Sequence, residues 1–417
     1  MATDRLDSLT SFHPFTRLNG LLSALKPPAG LDPLPLSVGE PQQSPPPMVM
    51  AELQRTAEQW GKYPQAPGTP EFRAAVRDWL NRRYRLPAGM IDPDRHILPV
   101  AGTREALFMI ALSAVPERAD GRRAAVLMPN PFYHVYAGAA AMAGGEPVFL
   151  SSTLANGFQP RPQDVPAEVL ARTALAYVCS PANPQGSVAS IDLLKAWILA
   201  ARQHNFTVAF DECYGEIYGN VPPSGSLEAA ALLGGELRNI VVFHSLSKRS
   251  GAPGLRSGFI CGDPKQIQRM TQLINYGGVA VPGPIVAAST VLWRDEAHVE
   301  AGRARYRANF DAAERILGQR FGPPRPAGGF FLWLDVGDGE EAAKALWSQA
   351  ALRVLPGAYM ARPDEQGRNP GQRYIRVALV HDPATTAAAL QRMADVLNPL
   401  ADRREPGVAG TETRVGA

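Results

Sequence analysis

The chain reads as an α/β protein: a large domain on a mainly parallel, seven-stranded sheet, with a smaller α+β domain beside it. Three observations predict this. Short apolar runs recur through the middle of the sequence, several of them closing on polar or turn-forming residues. Helical patterns intervene between several of these runs, and strands alternating with helices favour parallel pairing with ligands at the strands' carboxyl ends. At 417 residues the chain exceeds one ordinary domain and has the length for two lobes with sizeable cores.

Residues 1–50 are Pro-rich and irregular, apart from a short apolar segment, Leu18 to Leu25, with helical character. They are expected to form an N-terminal arm and part of the small domain. Pro45-Pro46-Pro47 precedes an amphipathic run from Met48 to Trp60, which reads as a helix. Thr69-Pro70-Glu71 is a helix start signal, and Phe72, Val76, Trp79 and Leu80 then carry the apolar face to Tyr84. Strands are expected near residues 97–100, 124–128, 147–150, 174–179, 207–211, 240–244 and 257–261, which places the large domain at 51–294. A long Ala/Arg/Glu-rich helix over residues 295–317 opens the small domain, 295–400, whose strands read at 328–334 and 373–379. After Leu400 the chain turns polar and Gly-rich, so 401–417 reads as a disordered tail.

The chemistry concentrates at strand exits. Ile240 to Phe243 runs into His244-Ser245-Leu246-Ser247-Lys248, with Arg256 eight residues beyond the lysine. A lysine at a strand exit is ordinarily a solvated surface residue. Here Ser245, Ser247 and Arg256 accompany it, a set suited to holding a phosphate dianion beside an amine. That combination fits an enzyme that ties an aldehyde cofactor to lysine as a Schiff base and grips its phosphate nearby, which implies pyridoxal phosphate. The strand upstream ends in Asp211-Glu-Cys-Tyr214. A buried carboxylate facing the ring nitrogen keeps it protonated, and Tyr214 is placed to donate to the ring's phenolic oxygen. Asn183, in Ser180-Pro-Ala-Asn183-Pro-Gln-Gly186, is a candidate second donor. Ala101-Gly102-Thr103-Arg104 follows another strand and opens an apolar helix, whose free amides are a natural phosphate cradle.

The order Asn-Pro-x-Gly, Asp-x-x-Tyr, Ser-x-Ser-Lys, then Arg resembles that of fold-type I, class I aminotransferases, and the resemblance implies their fold. It also places Tyr133 over the pyridine ring, Tyr63 at the phosphate of a neighbouring subunit, Arg376 on the substrate α-carboxylate and the backbone of Gly39 beside that carboxylate. An active homodimer follows from the Tyr63 match. From about Pro14 to Leu400 the chain is similar to bacterial N-succinyldiaminopimelate aminotransferases. The matching stretches are Pro14-Phe15-x-Arg17-Leu18, Leu36-Ser-Val-Gly-Glu-Pro41, Leu98-Pro-Val-x-Gly-x-Arg104-Glu-Ala-Leu-Phe108, Pro129-Asn-Pro-Phe-Tyr133, Phe243 to Ser250, Val354-Leu-Pro-Gly357 and Asn369-Pro-Gly371. Departures are Gln42-Gln43-Ser44 where a Lys-His-Pro type run is usual, Ala101 where Asn is common, and Gln185 where Thr is common. The implied reaction exchanges an amino group between N-succinyl-LL-2,6-diaminopimelate and the glutamate/2-oxoglutarate pair, with Arg17 and Arg104 as candidates for the extra carboxylates.

Composition narrows the alternatives. Forty-two Lys+Arg against 39 Asp+Glu give no basic field for nucleic acid or membrane. The resemblance, not the composition, implies small amino and oxo acids as the partners. Cys179, Cys213 and Cys261 sit in apolar contexts without a Cys-x-x-Cys pair, and the N-terminus lacks an apolar signal region; both point to the cytoplasm. The seven histidines show no metal-ligand spacing. Other aminotransferases of this class (acylornithine, aromatic, alanine or aspartate type) and a C–S lyase share the cofactor constellation and stay open. A non-catalytic ligand-sensing module is disfavoured, because no basic helix-turn-helix-sized segment precedes Pro14.

Overall fold

The computed structural model describes residues 13–117 and 120–402. Its strands in chain order are β1 (Leu34–Pro35), β2 (Ile97–Val100), β3 (Ala125–Asn130), β4 (Glu146–Ser151), β5 (Thr173–Cys179), β6 (Thr207–Asp211), β7 (Ile240–Ser245), β8 (Gly258–Gly262), β9 (Phe331–Asp335), β10 (Leu352–Arg353), β11 (Leu355–Pro356) and β12 (Tyr374–Ala378). Seven of them form one sheet in the order β2-β8-β7-β6-β5-β3-β4. All neighbours are parallel except at β8, which runs against both β7 and β2.

The sheet is buried on both faces, and the two-residue period of a strand sends alternate side chains to two cores. Along β7, Val241 and Phe243 pack into the core that holds Leu107, Tyr136 and Tyr306. Ile240 and Val242 face the other core, with Trp79, Trp197 and Trp293. The helix Pro70–Tyr84 reaches that second core through Phe72, Val76, Trp79 and Leu80; Thr69 caps it by accepting from Phe72 N at 3.2 Å. A three-stranded antiparallel sheet, β11-β12-β9, follows the long helix Ala297–Leu317. The N-terminal arm joins the later part of the chain where β1 pairs in parallel with β10.

Three expectations need correction. The helix expected over 48–60 stops at Arg55; Thr56 Oγ1 donates back to the Glu52 carbonyl at 2.7 Å, and a 3₁₀ turn, Ala57–Gly61, continues the chain. The first helix is Pro14–Leu22, starting earlier than the apolar run because Pro14 is pre-shaped for a first turn. The last helix, Pro383–Asp402, runs past the expected start of the tail at 401; residues 403–417 lie outside the described residues. Among the described residues no helix is long and apolar enough to cross a membrane.

Candidate active site

A cavity of about 300 Å³ opens where β5, β6 and β7 end, and Asn183, Asp211, Ser245 and Lys248 all line it. β7 finishes at Ser245, whose Oγ accepts from Ser247 N at 3.1 Å and starts the single helical turn Leu246–Arg249. Lys248 projects from that turn, and its ammonium donates to the Gly39 carbonyl, 5.2 Å from the centre of the Phe330 ring. Its side chain keeps contact with the cavity. The amine itself lies deep enough that desolvation, reinforced by the charges of Arg376 and Arg104, pushes its pKa down to about 8.

The loop after Lys248 ends at Arg256, held in the left-handed region at φ 52°. Its guanidinium donates to the Pro253 carbonyl at 3.0 Å and to both oxygens of Glu105, at 3.1 and 2.9 Å. Gly102, at φ 97°, allows this: a Cβ there would stand 2.1 Å from Arg256 Nη2. Gly102 precedes the helix Thr103–Ala114, whose start has no side-chain cap, so its amides stay available to an anion.

Asp211 closes β6. It accepts from the buried Tyr136 hydroxyl at 2.6 Å and from Cys213 N at 3.2 Å. Tyr136 stacks on Tyr177 at 4.4 Å, so its ring is held by packing within one core. Next in sequence, Glu212 points the opposite way into a buried cluster. One oxygen accepts from Ser226 N and Oγ, both at 2.6 Å, and the other from Tyr84 at 2.9 Å with His244 at 3.2 Å. Burial pushes the Glu212 carboxyl up, yet the bonds from His244 and Ser226 outweigh it and hold it below the ordinary value. The cluster ties the end of β6 to the end of β7. Tyr214, also on the cavity wall, is held protonated by burial, which raises its pKa well above the usual phenol value.

Arg376, in β12, crosses from the three-stranded sheet to the cavity. One terminal nitrogen donates to Asn183 Oδ1 at 2.8 Å and the other to the Ser37 carbonyl at 2.6 Å, with the guanidinium 4.2 Å over the Phe331 ring. Burial pushes its pKa down to about 10, which still leaves it charged at neutral pH. Among the described residues its Nε has no hydrogen-bond partner. Asn183 has its carbonyl oxygen spent on Arg376, so its amide NH₂ is left as a donor.

The structure thus brings Gly39, Thr103, Arg104, Tyr133, Asn183, Asp211, Tyr214, Ser245, Ser247, Lys248, Arg256 and Arg376 to one cavity, with Gly102 directly behind Arg256. Tyr63 is not among them; it is 97% exposed on the chain's surface. Four features escape a reading of the sequence. Tyr136 anchors Asp211; the signal was its place three residues from Tyr133, on the same helical turn. Glu105 pairs with Arg256, the guanidinium expected to hold a phosphate. Gly39 is required by packing, since a Cβ would meet Phe331 at 2.5 Å. His134 also lines the cavity, and burial pushes its pKa down to about 4, so it is neutral there.

The donor set fits pyridoxal phosphate: an amine of lowered pKa, a buried carboxylate locked by two donors, two hydroxyls, a guanidinium and an uncapped helix start. Fold and cavity together define a pyridoxal-phosphate enzyme of fold type I. The model for the aminotransferase class I and II family matches residues 32–393, and the chain belongs to that family. It is an aminotransferase, and its cofactor is pyridoxal phosphate. The transaminase OxyQ of Streptomyces rimosus, which acts on 4-dedimethylamino-4-oxo-anhydrotetracycline by its name, is 32% identical over 86% of this chain and 92% of its own. An LL-diaminopimelate aminotransferase of Syntrophobacter fumaroxidans is 30% identical over 92% of this chain and 95% of its own. Among solved structures, an aminotransferase from Neisseria meningitidis superposes with a TM-score of 0.87 at 40% identity, covering 92% of this chain and 97% of that one.

Proposed function

We propose that the enzyme transfers an amino group between N-succinyl-LL-2,6-diaminopimelate and the glutamate/2-oxoglutarate pair. One observation carries the reading: three guanidinium groups, Arg104, Arg256 and Arg376, line a single cavity. The cofactor phosphate and the substrate α-carboxylate account for two. The third suits a distal carboxylate, which glutamate and the succinyl group both supply. Arg104 has its Nε on the Tyr133 hydroxyl at 3.1 Å, which turns it along the wall. Arg17 is the weaker candidate; it lies 3.9 Å from Glu340 and over the Tyr359 ring, and only its neighbours Pro14 and Phe15 line the cavity. The sequence likeness to N-succinyldiaminopimelate aminotransferases and the names of the diaminopimelate relatives support the same substrate class. Free LL-diaminopimelate is the second reading, but it would bring a distal ammonium toward Arg104, and succinylation removes that charge.

When bound, pyridoxal phosphate supplies the sink for the electron pair left as the α-proton departs. In this reading Asp211, fixed by Tyr136 and Cys213 N, holds the proton at the ring nitrogen. Tyr214 and the Asn183 amide donate to the phenolic oxygen, and Tyr133 covers the ring. Ser245, Ser247, Arg256 and the amides of Gly102, Thr103 and Arg104 hold the phosphate. Arg376 orients the α-carboxylate with a planar fork, and Gly39 lines the same place through its backbone. Lys248 Nζ would take the proton from the substrate Cα and hold it for return; its pKa of about 8 suits both directions.

A homodimer working in the cytoplasm belongs to the same proposal, with the described part of residues 1–50 as an N-terminal arm and part of the small domain, 295–400 the rest of it, and 51–294 the larger domain. Trp60, Tyr63, Tyr276 and Val279 leave large apolar surfaces exposed, as an interface that receives a second copy requires. Half-reaction spectra of the purified holoenzyme with N-succinyl-LL-diaminopimelate, LL-diaminopimelate, acetylornithine, glutamate, aspartate and phenylalanine test the substrate. The succinylated compound and glutamate should react fastest. Faster reaction with free LL-diaminopimelate, acetylornithine or phenylalanine would remove the succinyl assignment, and release of a thiol and ammonia from cystathionine, or of sulfide and ammonia from cysteine, would favour a C–S lyase.

A further inference from the structure

One side chain on the wall of the catalytic cavity has no part in the chemistry so far. His134 opens the helix His134–Met142, is only partly buried and lines the cavity. Its imidazole is clasped by two rings: Tyr133 meets it edge-on at 4.9 Å, and His13 of the N-terminal arm does so at 5.1 Å. Packing therefore holds the ring, yet among the described residues neither of its nitrogens has a hydrogen-bond partner. A metal does not account for it either: among the described residues no group of three His, Cys, Asp or Glu side chains could hold one.

The charges around His134 indicate what it meets. Burial, then the charges of His13, Arg104 and Arg376, push its pKa down to about 4, so at neutral pH the ring is an uncharged donor. Arg104 and Arg376 both act on it, which places it beside the path of a substrate stretched between the two. Arg104 spends its Nε on the Tyr133 hydroxyl at 3.1 Å, and among the described residues its terminal nitrogens have no hydrogen-bond partner. A carboxylate offers about four lone-pair sites, more than one two-pronged guanidinium fills. A neutral N–H supplies a further bond there without adding positive charge to a wall that already carries three guanidinium groups.

We propose that His134 is a specificity residue for the substrate's second carboxylate: a ring N–H donates to one of its oxygens while the terminal nitrogens of Arg104 take the other. The α-carboxylate stays with Arg376. The inference rests on the reading above that the substrates carry a second carboxylate, and it holds alike for glutamate, 2-oxoglutarate and a succinylated amino acid. Because His13 and Tyr133 already hold the ring, the donor is set before the substrate arrives, which spares the cost of ordering it.

The probes are glutarate, a dicarboxylate with no amino group to exchange, and valerate, its counterpart with one carboxylate. Each is titrated calorimetrically into the pyridoxal-phosphate holoenzyme. The wild type should bind glutarate at least tenfold more tightly than valerate. His134→Phe keeps a ring for His13 and Tyr133 but has no donor; it should weaken glutarate at least fivefold and leave valerate within twofold. His134→Gln, which keeps an N–H, should recover most of that loss, a rescue that a purely packing role would not give. Equal losses for both acids, or undiminished glutarate binding by folded His134→Phe, would overturn the inference and leave the dicarboxylate reading standing. A wild type that held glutarate no more tightly than valerate would refute that reading itself, and the inference with it. The choice between succinylated and other amino donors is read from the half-reactions and does not move this test.

Discussion

Lys248 shows how far one residue's behaviour follows from its surroundings. An exposed lysine loses half its protons near pH 10.4; desolvation and two neighbouring guanidinium groups bring Lys248 to about 8. In cofactor-free enzyme, alkylation of Lys248 read by peptide mass spectrometry should therefore rise with a midpoint near pH 8, while surface lysines follow two units later. A midpoint near 10 would show that the amine is solvated. The sign for stability is the same: between about pH 8 and the unfolded lysine value the unfolded chain binds more protons, so this group's contribution rises with pH. Arg376 makes a different kind of contribution, through shape. Arg376→Lys keeps a charge and loses the fork that reaches Asn183 and Ser37. Each charge-assisted bond is worth about 1.5–3 kcal/mol, so kcat/KM should fall roughly ten- to a hundredfold for glutamate and for the second amino donor together, with cofactor still bound. A loss confined to one donor would mean that Arg376 reads a side chain. Both residues were legible in the sequence because their partners are local or belong to a recurrent order. Tyr136 was harder to read: its place three residues from Tyr133 is the one hint, and its bond to Asp211 depends on how the helix His134–Met142 packs in the folded chain.

At the scale of elements, the site is made by places where strands stop and helices begin. Gly102 is the clearest case. Gly102→Ala would impose a left-handed backbone costing about 1–3 kcal/mol and drive a methyl into Arg256. The expected outcome is a folded enzyme whose pyridoxal phosphate affinity drops at least tenfold, measured by equilibrium dialysis, with KM for amino donors moving less. Unchanged cofactor affinity would separate Arg256 and this helix start from the phosphate. Strands such as β3, β6 and β7 were readable because each is a mostly apolar run ending in a polar residue, and near-continuous apolar runs signal burial on both faces. Two things were not. The break at Thr56 comes from a hydroxyl competing for a helical carbonyl, which outweighs an unbroken amphipathic pattern. The Glu212 cluster joins four segments, carrying Tyr84, Glu212, Ser226 and His244; the register of β6 on β7 brings Glu212 beside His244, and helix packing supplies Tyr84 and Ser226.

For the whole molecule, the proposed assembly makes its own prediction. Tyr63 is exposed on one chain, so the place proposed for it at a phosphate would be in the site of a second copy. Sedimentation should report a dimer, and Tyr63→Ala should raise the cofactor's dissociation rate without altering the single-chain fold. A monomer with wild-type turnover would refute the interface. The reversed direction of β8 has a consequence of another kind, in the order of assembly. Because β8 runs antiparallel to β7, the chain leaves at Ser245 and returns at Gly258 by a short excursion that carries both Lys248 and Arg256. Closing a short loop is entropically cheap, whereas the parallel neighbours β5 and β6 must wait for a helix-length crossover. In pulse-labelled refolding, amides of β7 and β8 should gain protection before those of β5, and equal rates would argue against this order. The nascent enzyme would then own its anion-gripping hairpin first, and acquire Asp211 and Asn183 around it afterwards.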